Sequence, residues 1–425
     1  MSSEGKSSAA SGGGAALVPG RRFPEFAAMA GWDTVSGNEL FQQINNRQAP
    51  PGLPILAITQ EHGAIPRDLI GYHVSVTDQS VETYKEVKPG DFIISLRSFQ
   101  GGIEYSNYHG ICSPAYVILR KRADISDQFF KQHFKSRSFI QQLTRNLEGL
   151  RDGKMISYKQ FSELRFLKPT LPEQQKIADC LDSVDALIAA QGQKVEALRA
   201  HKKGLMRQLF PLEGKTQPRL RFPEFEGAGE WVHDNLGNLF DITSGGTPER
   251  TKEEYWNGGI PWITTSMVNF NVITEAAEYI SETGLKNSSA KIFPEKTILL
   301  AMYGQGKTRG QVAMLGVKAA TNQACAAILP RKGINPNFVF LNLGSRYDEL
   351  RGLSNSGGQE NLSQGLIKAL LFSYPSDPVE QQRIADCLTS LDDLLAAETR
   401  KLGMLKTHKK GLIQQLFPQV GEAGA

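Results

Sequence analysis

EQQKIADCLDSVDALIAAQGQKVEALRAHKKGLMRQLFP, residues 173–211, returns as EQQRIADCLTSLDDLLAAETRKLGMLKTHKKGLIQQLFP at residues 380–418. The offset is a constant 207 residues without a gap, and well over half the positions are identical. In both copies apolar residues recur at spacings of four and three. They are Ile177, Leu181, Val184, Ile188, Val195, Leu198, Leu205 and Leu209 in the first, and Ile384, Leu388, Leu391, Leu395, Leu402, Leu405, Leu412 and Leu416 in the second. Such a heptad seam predicts a long helix packed along another long helix. A Phe-Pro pair closes each copy as a stop signal. At about 1.5 Å per residue each helix would span roughly 50 Å.

Two seam positions are polar in both copies: Gln191 with Glu398, and Lys202 with Lys409. Polar seam residues lower coiled-coil stability and select register. If the helices run antiparallel about a pseudo-twofold, Lys202 falls beside Asp392 and Lys409 beside Asp185. The alternative is that these residues are simply solvated at imperfect heptads.

The duplication extends beyond the helices. Arg22-Phe-Pro-Glu-Phe26 recurs as Arg221-Phe-Pro-Glu-Phe225, each followed by a tryptophan (Trp32, Trp231) and a Leu-Phe pair (Leu40-Phe41, Leu239-Phe240). Pro54–Thr59 aligns with Pro261–Ser266, Pro89–Leu96 with Pro294–Met302, and Ser113–Leu119 with Gln323–Leu329, all strand candidates. The plan is therefore globular domain, long helix, globular domain, long helix. Residues 1–21 read as a disordered tail and 22–170 as the first domain. The first helix segment follows at 171–212, the second domain at 213–377, the second helix segment at 378–418 and a short tail at 419–425. With antiparallel helices the C-terminal end would come close to the start of the first domain.

Composition narrows the function classes. Hydrophobic content of 40% and charged content of 22% over 425 residues are ordinary for a soluble protein. No run of about 18 apolar residues predicts a membrane span. Cys112, Cys180, Cys325 and Cys387 are scattered, which argues against a zinc cluster or a disulfide scaffold and fits a reducing cytoplasm. The net charge of +4 is modest, so any DNA contact must come from local patches.

Two loops are the best candidates for such patches. Arg97–Gly110 (RSFQGGIEYSNYHG) and Tyr303–Gly310 (YGQGKTRG) leave matching strands and are rich in glycine, basic residues, amides and aromatics. These suit close approach to phosphates and hydrogen bonding to base edges. The candidate side chains are Arg97, Ser98, Gln100, Gly101, Tyr105, Asn107 and Tyr108 in the first loop. The second offers Tyr303, Gln305, Lys307, Thr308 and Arg309. Ordinary surface hairpins would have the same composition. Arg151 and Lys154, with Gln359 and Asn361, sit in Gly-rich turns that serve either as helix caps or as further DNA contacts.

Enzyme chemistry finds little support. Gly306-Lys307-Thr308 follows an apolar run, but a phosphate-binding P-loop needs a glycine where Ala301 stands. His62, His73, His109 and His133 lack metal-ligand spacing, and His201 and His408 read as solvated cations near helix ends. No nucleophile elbow, HExxH pair or adenosylmethionine fingerprint occurs.

Taken jointly, the paired EQQ-x-IADCL…HKKGL…QLFP blocks, the paired RFPEF segments and the stretch PGDFIISLRSFQGGIEYSNYHGICSPAY closely resemble the DNA-specificity subunit of type I restriction–modification systems. The resemblance covers Arg22 to Pro418. It implies an α+β fold with two mixed α/β target-recognition domains separated by two long helices, which form an antiparallel coiled coil, and a pseudo-twofold internal repeat. Each domain would read one half of a bipartite double-stranded DNA site, with the coiled coil as the ruler between them. The resemblance also implies a non-catalytic subunit that binds no cofactor itself. Two methyltransferase subunits would bring S-adenosylmethionine, and two restriction (motor-nuclease) subunits would use ATP and magnesium. The expected setting is the prokaryotic cytoplasm, on DNA and without a membrane. An assembly scaffold with protein-contacting loops, or a free-standing nuclease or ATPase using Lys307, are the competing classes.

Overall fold

The computed structural model describes residues 18–71, 81–145, 156–304, 306–353 and 361–418. Both expected tails fall mainly outside these residues. The architecture is α+β, and the chain divides into two compact units. The first comprises residues 1–192 with 400–425, and the second residues 193–399. The division falls inside the two long helices, Leu171–Leu209 and Pro378–Leu416, each 39 residues long. Each unit therefore takes the first half of one helix and the second half of the other.

Within each unit the two helix halves run antiparallel. In the first, Lys409 pairs with Asp185 at 2.6 Å, while Leu416 joins Ile177 and Leu181 in one core. In the second, Lys202 pairs with Asp392 and Lys194 with Glu398 at 2.5 Å, while Leu209 joins Ile384 and Leu388. Both reciprocal ion pairs expected from the polar seam positions form. Ile177, Leu181, Val195, Leu209, Ile384, Leu388 and Leu416 are fully buried. Val184, Ile188, Leu198, Leu205, Leu391, Leu395, Leu402, Leu405 and Leu412 are half-buried. A seam between two helices shields only one side of each, so full burial is reached chiefly near the helix ends, where a globular core adds cover.

The RFPEF and EQQ segments, distant in sequence, close on each other. The Arg22 guanidinium donates to both oxygens of Glu173 at 2.7 Å and to the carbonyls of Met29 and Ala30. The Trp32 indole N–H donates to the same carboxylate at 3.2 Å. Arg221, Glu380 and Trp231 repeat the arrangement. Glu173 and Glu380 are each 1% exposed, and the paired carboxylates raise the pKa of Arg22 and Arg221 further. The next residue does a second job. The Gln174 amide accepts from the Ser126 N–H and donates to the Pro169 carbonyl, as Gln381 does with Asn335 and Pro375. Buried ions and amides satisfied in this way fix where each long helix enters its unit.

Each helix end is also tied to the strand-entry segment. The Arg21 N–H donates to the Gln415 carbonyl at 2.9 Å, and the Leu220 N–H donates to the Gln208 carbonyl at 3.0 Å. Phe417 packs at a tilt against Phe129, 5.2 Å between ring centres, and Phe210 meets Phe338 edge-on at 5.5 Å. In the first unit this brings the C-terminal helix end beside the RFPEF segment, as the antiparallel reading requires.

Both units are built on the same antiparallel trio of strands. In the first, Val117–Lys121 lies between Phe41–Ile44 and Phe92–Ile94. In the second, Cys325–Ile328 lies between Ile242–Ser244 and Ile298–Ala301. A smaller ladder, Asp33–Ser36 with Arg165–Lys168, matches Val232–Asn235 with Leu371–Tyr374. Beyond this frame the units diverge. Leu56–Thr59 pairs with Gly63–Pro66, whereas its expected counterpart, inside Trp256–Ile263, pairs with Glu278–Ile280 and Ala319–Thr321. The second unit extends its trio with Val312–Leu315 and Asn271–Ile273 into five strands.

Candidate nucleic-acid interface

In the first unit the structure separates what the sequence presents as one loop. After Phe92–Ile94 the chain makes a single helical turn, Ser98–Gly101, then the short strand Glu104–Tyr105, which pairs back onto Phe92 and Ile93. Arg97 and Gln100 are exposed at the strand's C-terminal end. Asn107 and Tyr108, also exposed, lie at its other end, where the Gly90 N–H donates to the Ser106 carbonyl. The strand Phe92–Ile94 lies between these two pairs of candidates.

The remaining candidates of this stretch are structural. Ser98 is 1% exposed and its hydroxyl accepts the Ser95 N–H, so it cannot reach a base. Gly101 is packed on Gln60, and its carbonyl accepts from Lys135. The next residue, Gly102, has φ +84, and a Cβ there would lie 2.0 Å from the Phe134 carbonyl oxygen, so only glycine fits. Tyr105 is half-buried with its ring 5.0 Å from that of Phe92, and burial pushes its hydroxyl pKa up. Sequence alone gives no sign of this because the pairing joins Phe92 to a residue well beyond the turn, Tyr105.

Two buried charged residues follow one another in the strand Lys85–Val87. Glu86 accepts from the Asn46 amide and pairs with His109, both at 2.8 Å. The His109 hydrogen bond and then Asn46 hold its carboxyl below the ordinary range against the effect of burial. Lys85, 6% exposed, donates to the Tyr116 carbonyl, and burial lowers its pKa.

The second unit brings its candidates together. Tyr303 and Lys307 are exposed, and Thr308 and Arg309 half-buried, on the loop between Ile298–Ala301 and Val312–Leu315. The helix Tyr347–Gly352 supports this loop. The Tyr347 hydroxyl donates to the Lys307 carbonyl at 2.6 Å, and Arg351 donates to the Gly306 carbonyl at 2.9 Å and to the Tyr347 hydroxyl at 2.8 Å. Arg309 donates to the Arg351 carbonyl. Next to Asn361, the Leu362 N–H donates to the Met302 carbonyl, one residue before Tyr303. The sequence reading passed over Tyr347 and Arg351; their separation by four residues on one short helix was the available signal.

The loop returns directly into the strand Val312–Leu315. A P-loop needs a helix N-terminus at that point, so Gly306-Lys307-Thr308 is not one. Gln305, Arg151, Lys154 and Gln359 lie outside the described residues. The described residues that follow begin with helix caps: Ser157 accepts from the Gln160 N–H and Ser363 from the Leu366 N–H. These caps start short helices, Tyr158–Glu163 and Gln364–Lys368, which precede the long ones. Among the described residues no group of three His, Cys, Asp or Glu gathers that could hold a metal. No helix among them is long and apolar enough to cross a membrane.

Comparison with known proteins agrees with this repeated frame. The MjaIX type I restriction enzyme specificity subunit of Methanocaldococcus jannaschii is 29% identical over 193 residues. The EcoR124I/EcoR124II specificity subunit of Escherichia coli is 32% identical over 181 residues. These alignments cover 44% and 42% of this chain, and the chain spans 44% of the length of each relative. A solved chain from a study of assembly and conformational transition in a type I restriction–modification system has the same fold. Its TM-score is 0.60 at 16% identity, over 91% of this chain and 97% of that one. The model of the type I restriction modification DNA specificity domain matches twice, at residues 31–200 and 228–407, and the chain belongs to that family.

Proposed function

We propose that this chain is the non-catalytic, DNA-reading subunit of a type I restriction–modification complex, and that each globular unit reads one half of a bipartite site. The observation that carries this reading is the repeated frame with unlike loops. The same strand trio and the same Arg–Glu–Trp clamp occur twice, while the loops at the strand ends differ. Two copies of one scaffold that carry unlike strands and loops beyond the shared frame suit two different half-sites.

The long helices act as the spacer. Half-sites read from one face of B-DNA want a separation near one helical turn, about 34 Å. A helix of 39 residues, rising about 1.5 Å per residue, is long enough to bridge it. Methylation and cleavage would fall to partners: two methyltransferase subunits with S-adenosylmethionine, and two motor-nuclease subunits with ATP and magnesium, in the prokaryotic cytoplasm.

Removing one heptad from each long helix tests the reading. Selection of randomised duplexes by the full chain should then return a shorter spacer between unchanged half-sites. Recovery of the original spacer would refute the ruler, and enrichment of no sequence by the unaltered chain would refute DNA reading itself.

A further inference from the structure

The five-stranded sheet of the second unit ends along one edge in a row of uncharged polar side chains. Its strand order is Ile242–Ser244, Cys325–Ile328, Ile298–Ala301, Val312–Leu315, Asn271–Ile273. The registers place Ser244, Cys325, Ala301, Val312 and Asn271 at the same edge. Just beyond these strand ends stand Thr247, Gln323, Tyr303, Gln311 and Asn269. Neighbouring strands lie about 4.8 Å apart, so the row spans roughly 19 Å. It carries no carboxylate, and the exposed Lys307 lies on the adjoining loop.

Each amide in this row is hydrogen-bonded to a polar neighbour. The Gln311 Nε2 donates to the Asn269 Oδ1 at 3.0 Å, which leaves the Gln311 Oε1 as an acceptor and the Asn269 Nδ2 as a donor. Neither of these atoms makes a hydrogen bond among the described residues. The Thr247 hydroxyl likewise donates to the Gln323 Oε1 at 2.6 Å, so that the Gln323 Nε2 is the end presented outward. Backbone bonds hold the first pair in place. The Asn269 N–H donates to the Asn271 Oδ1, the Phe270 N–H to the Val312 carbonyl and the Gln311 N–H to the Thr308 carbonyl.

An acceptor beside a donor is the complement of one base edge in the major groove, adenine, which offers its N6 amino group and its N7 acceptor. A pair already locked by its neighbours loses little rotamer freedom on binding. We infer that Asn269 and Gln311 act as one unit that reads an adenine in the half-site of the second unit, the Asn269 amide donating to N7 and the Gln311 oxygen accepting from N6. Thr247 and Gln323 present a further fixed donor along the same edge, and Lys307 reaches toward phosphate. This inference rests on the reading that the second unit binds DNA.

Sequence selection from randomised duplexes by the full chain tests it, with Asn269→Ala and Asn269→Asp beside the unaltered protein and melting temperatures measured for all three. In Asn269→Ala the preference for adenine at one position of one half-site should fall by about 5- to 150-fold, the range of a paired base contact, while the other half-site is unchanged. Asn269→Asp keeps the bond from Gln311 but presents acceptors only, so the preference at that position should move toward cytosine, whose N4 amino group is a donor. Misfolding cannot produce that switch. If the unaltered chain selects a bipartite motif that both variants retain at every position, the inference falls and the DNA reading stands. A uniform loss of selection in Asn269→Asp at an unchanged melting temperature overturns it as well. If the unaltered chain enriches no motif, both fall together.

Discussion

Acidification should loosen the first unit through one side chain, His133. Its ring lies among those of Phe129, Phe134, Phe139, Phe166 and Phe417, with centre separations of 5.3 to 6.2 Å. The Nδ1 atom is buried without a hydrogen-bond partner. Burial alone holds the imidazole's pKa down to about 4, against about 6.5 in an unfolded chain. The unfolded chain therefore binds a proton that the folded unit refuses between these values. Stability contributed by the neutral ring is fully present above pH 6.5 and is lost as the pH falls toward 4. At about 1.36 kcal/mol per unit of pKa difference, the loss across the window is about 3 kcal/mol. The control is His133→Asn, because Asn342 occupies the matching position in the second unit, seven residues after a cap at Asn335 as His133 is seven after Ser126. Denaturant unfolding of both proteins should be followed at intervals from pH 7.5 to 4.5. Burial raises the pKa of the nearby Glu104 and so acts in the opposite sense, but that effect is common to both proteins and cancels in their difference. The advantage of the unaltered protein over the variant should shrink steadily with falling pH. A difference that stays constant over this range would refute the reasoning.

Two further outcomes follow from the long helices. Glu173→Gln should destabilise the first unit and Glu380→Gln the second, each by about 2 kcal/mol, because a half-buried arginine loses charge-assisted hydrogen bonds to a buried carboxylate. Hydrogen exchange resolved to peptides of residues 22–145 and of residues 220–350 would show whether each loss stays in its own unit. Gly204 and Gly411 sit inside the helices with no atom within 4 Å of where a Cβ would stand. Gly204→Ala and Gly411→Ala should each raise stability by about 1 kcal/mol, seen as a higher melting temperature; a lower one would contradict the open surroundings.

The parts of this fold that were legible in the sequence are those with local periodicity or literal repetition. The heptad spacing gave the long helices, and the polar seam positions gave the pairs Lys202–Asp392 and Lys409–Asp185, because a helical register is set by counting. The repeated Arg22, Trp32 and Glu173 were visible as markers of duplication, but their convergence on one carboxylate depends on contacts across some 150 residues. The candidate sites were harder to read. Ser98 and Tyr105 have the composition of a reading loop, yet one hydroxyl caps a turn and one ring packs on Phe92. Asn107 and Arg97 were separated by a strand pairing that no local pattern announces. Asn269, Gln311 and Gln323 went unremarked because they come from three different connections, and only the sheet order lines them up.

The way each unit borrows half of a distant helix has a consequence for synthesis on the ribosome. The second unit, residues 193–399, is one unbroken stretch and holds its own complement of core side chains once those residues have emerged. The first unit still lacks Leu416 and Phe417, which fill its aromatic interior, until the last turn of the final helix has been made. A premature stop near the end of the message would therefore damage the domain translated first and spare the one translated later.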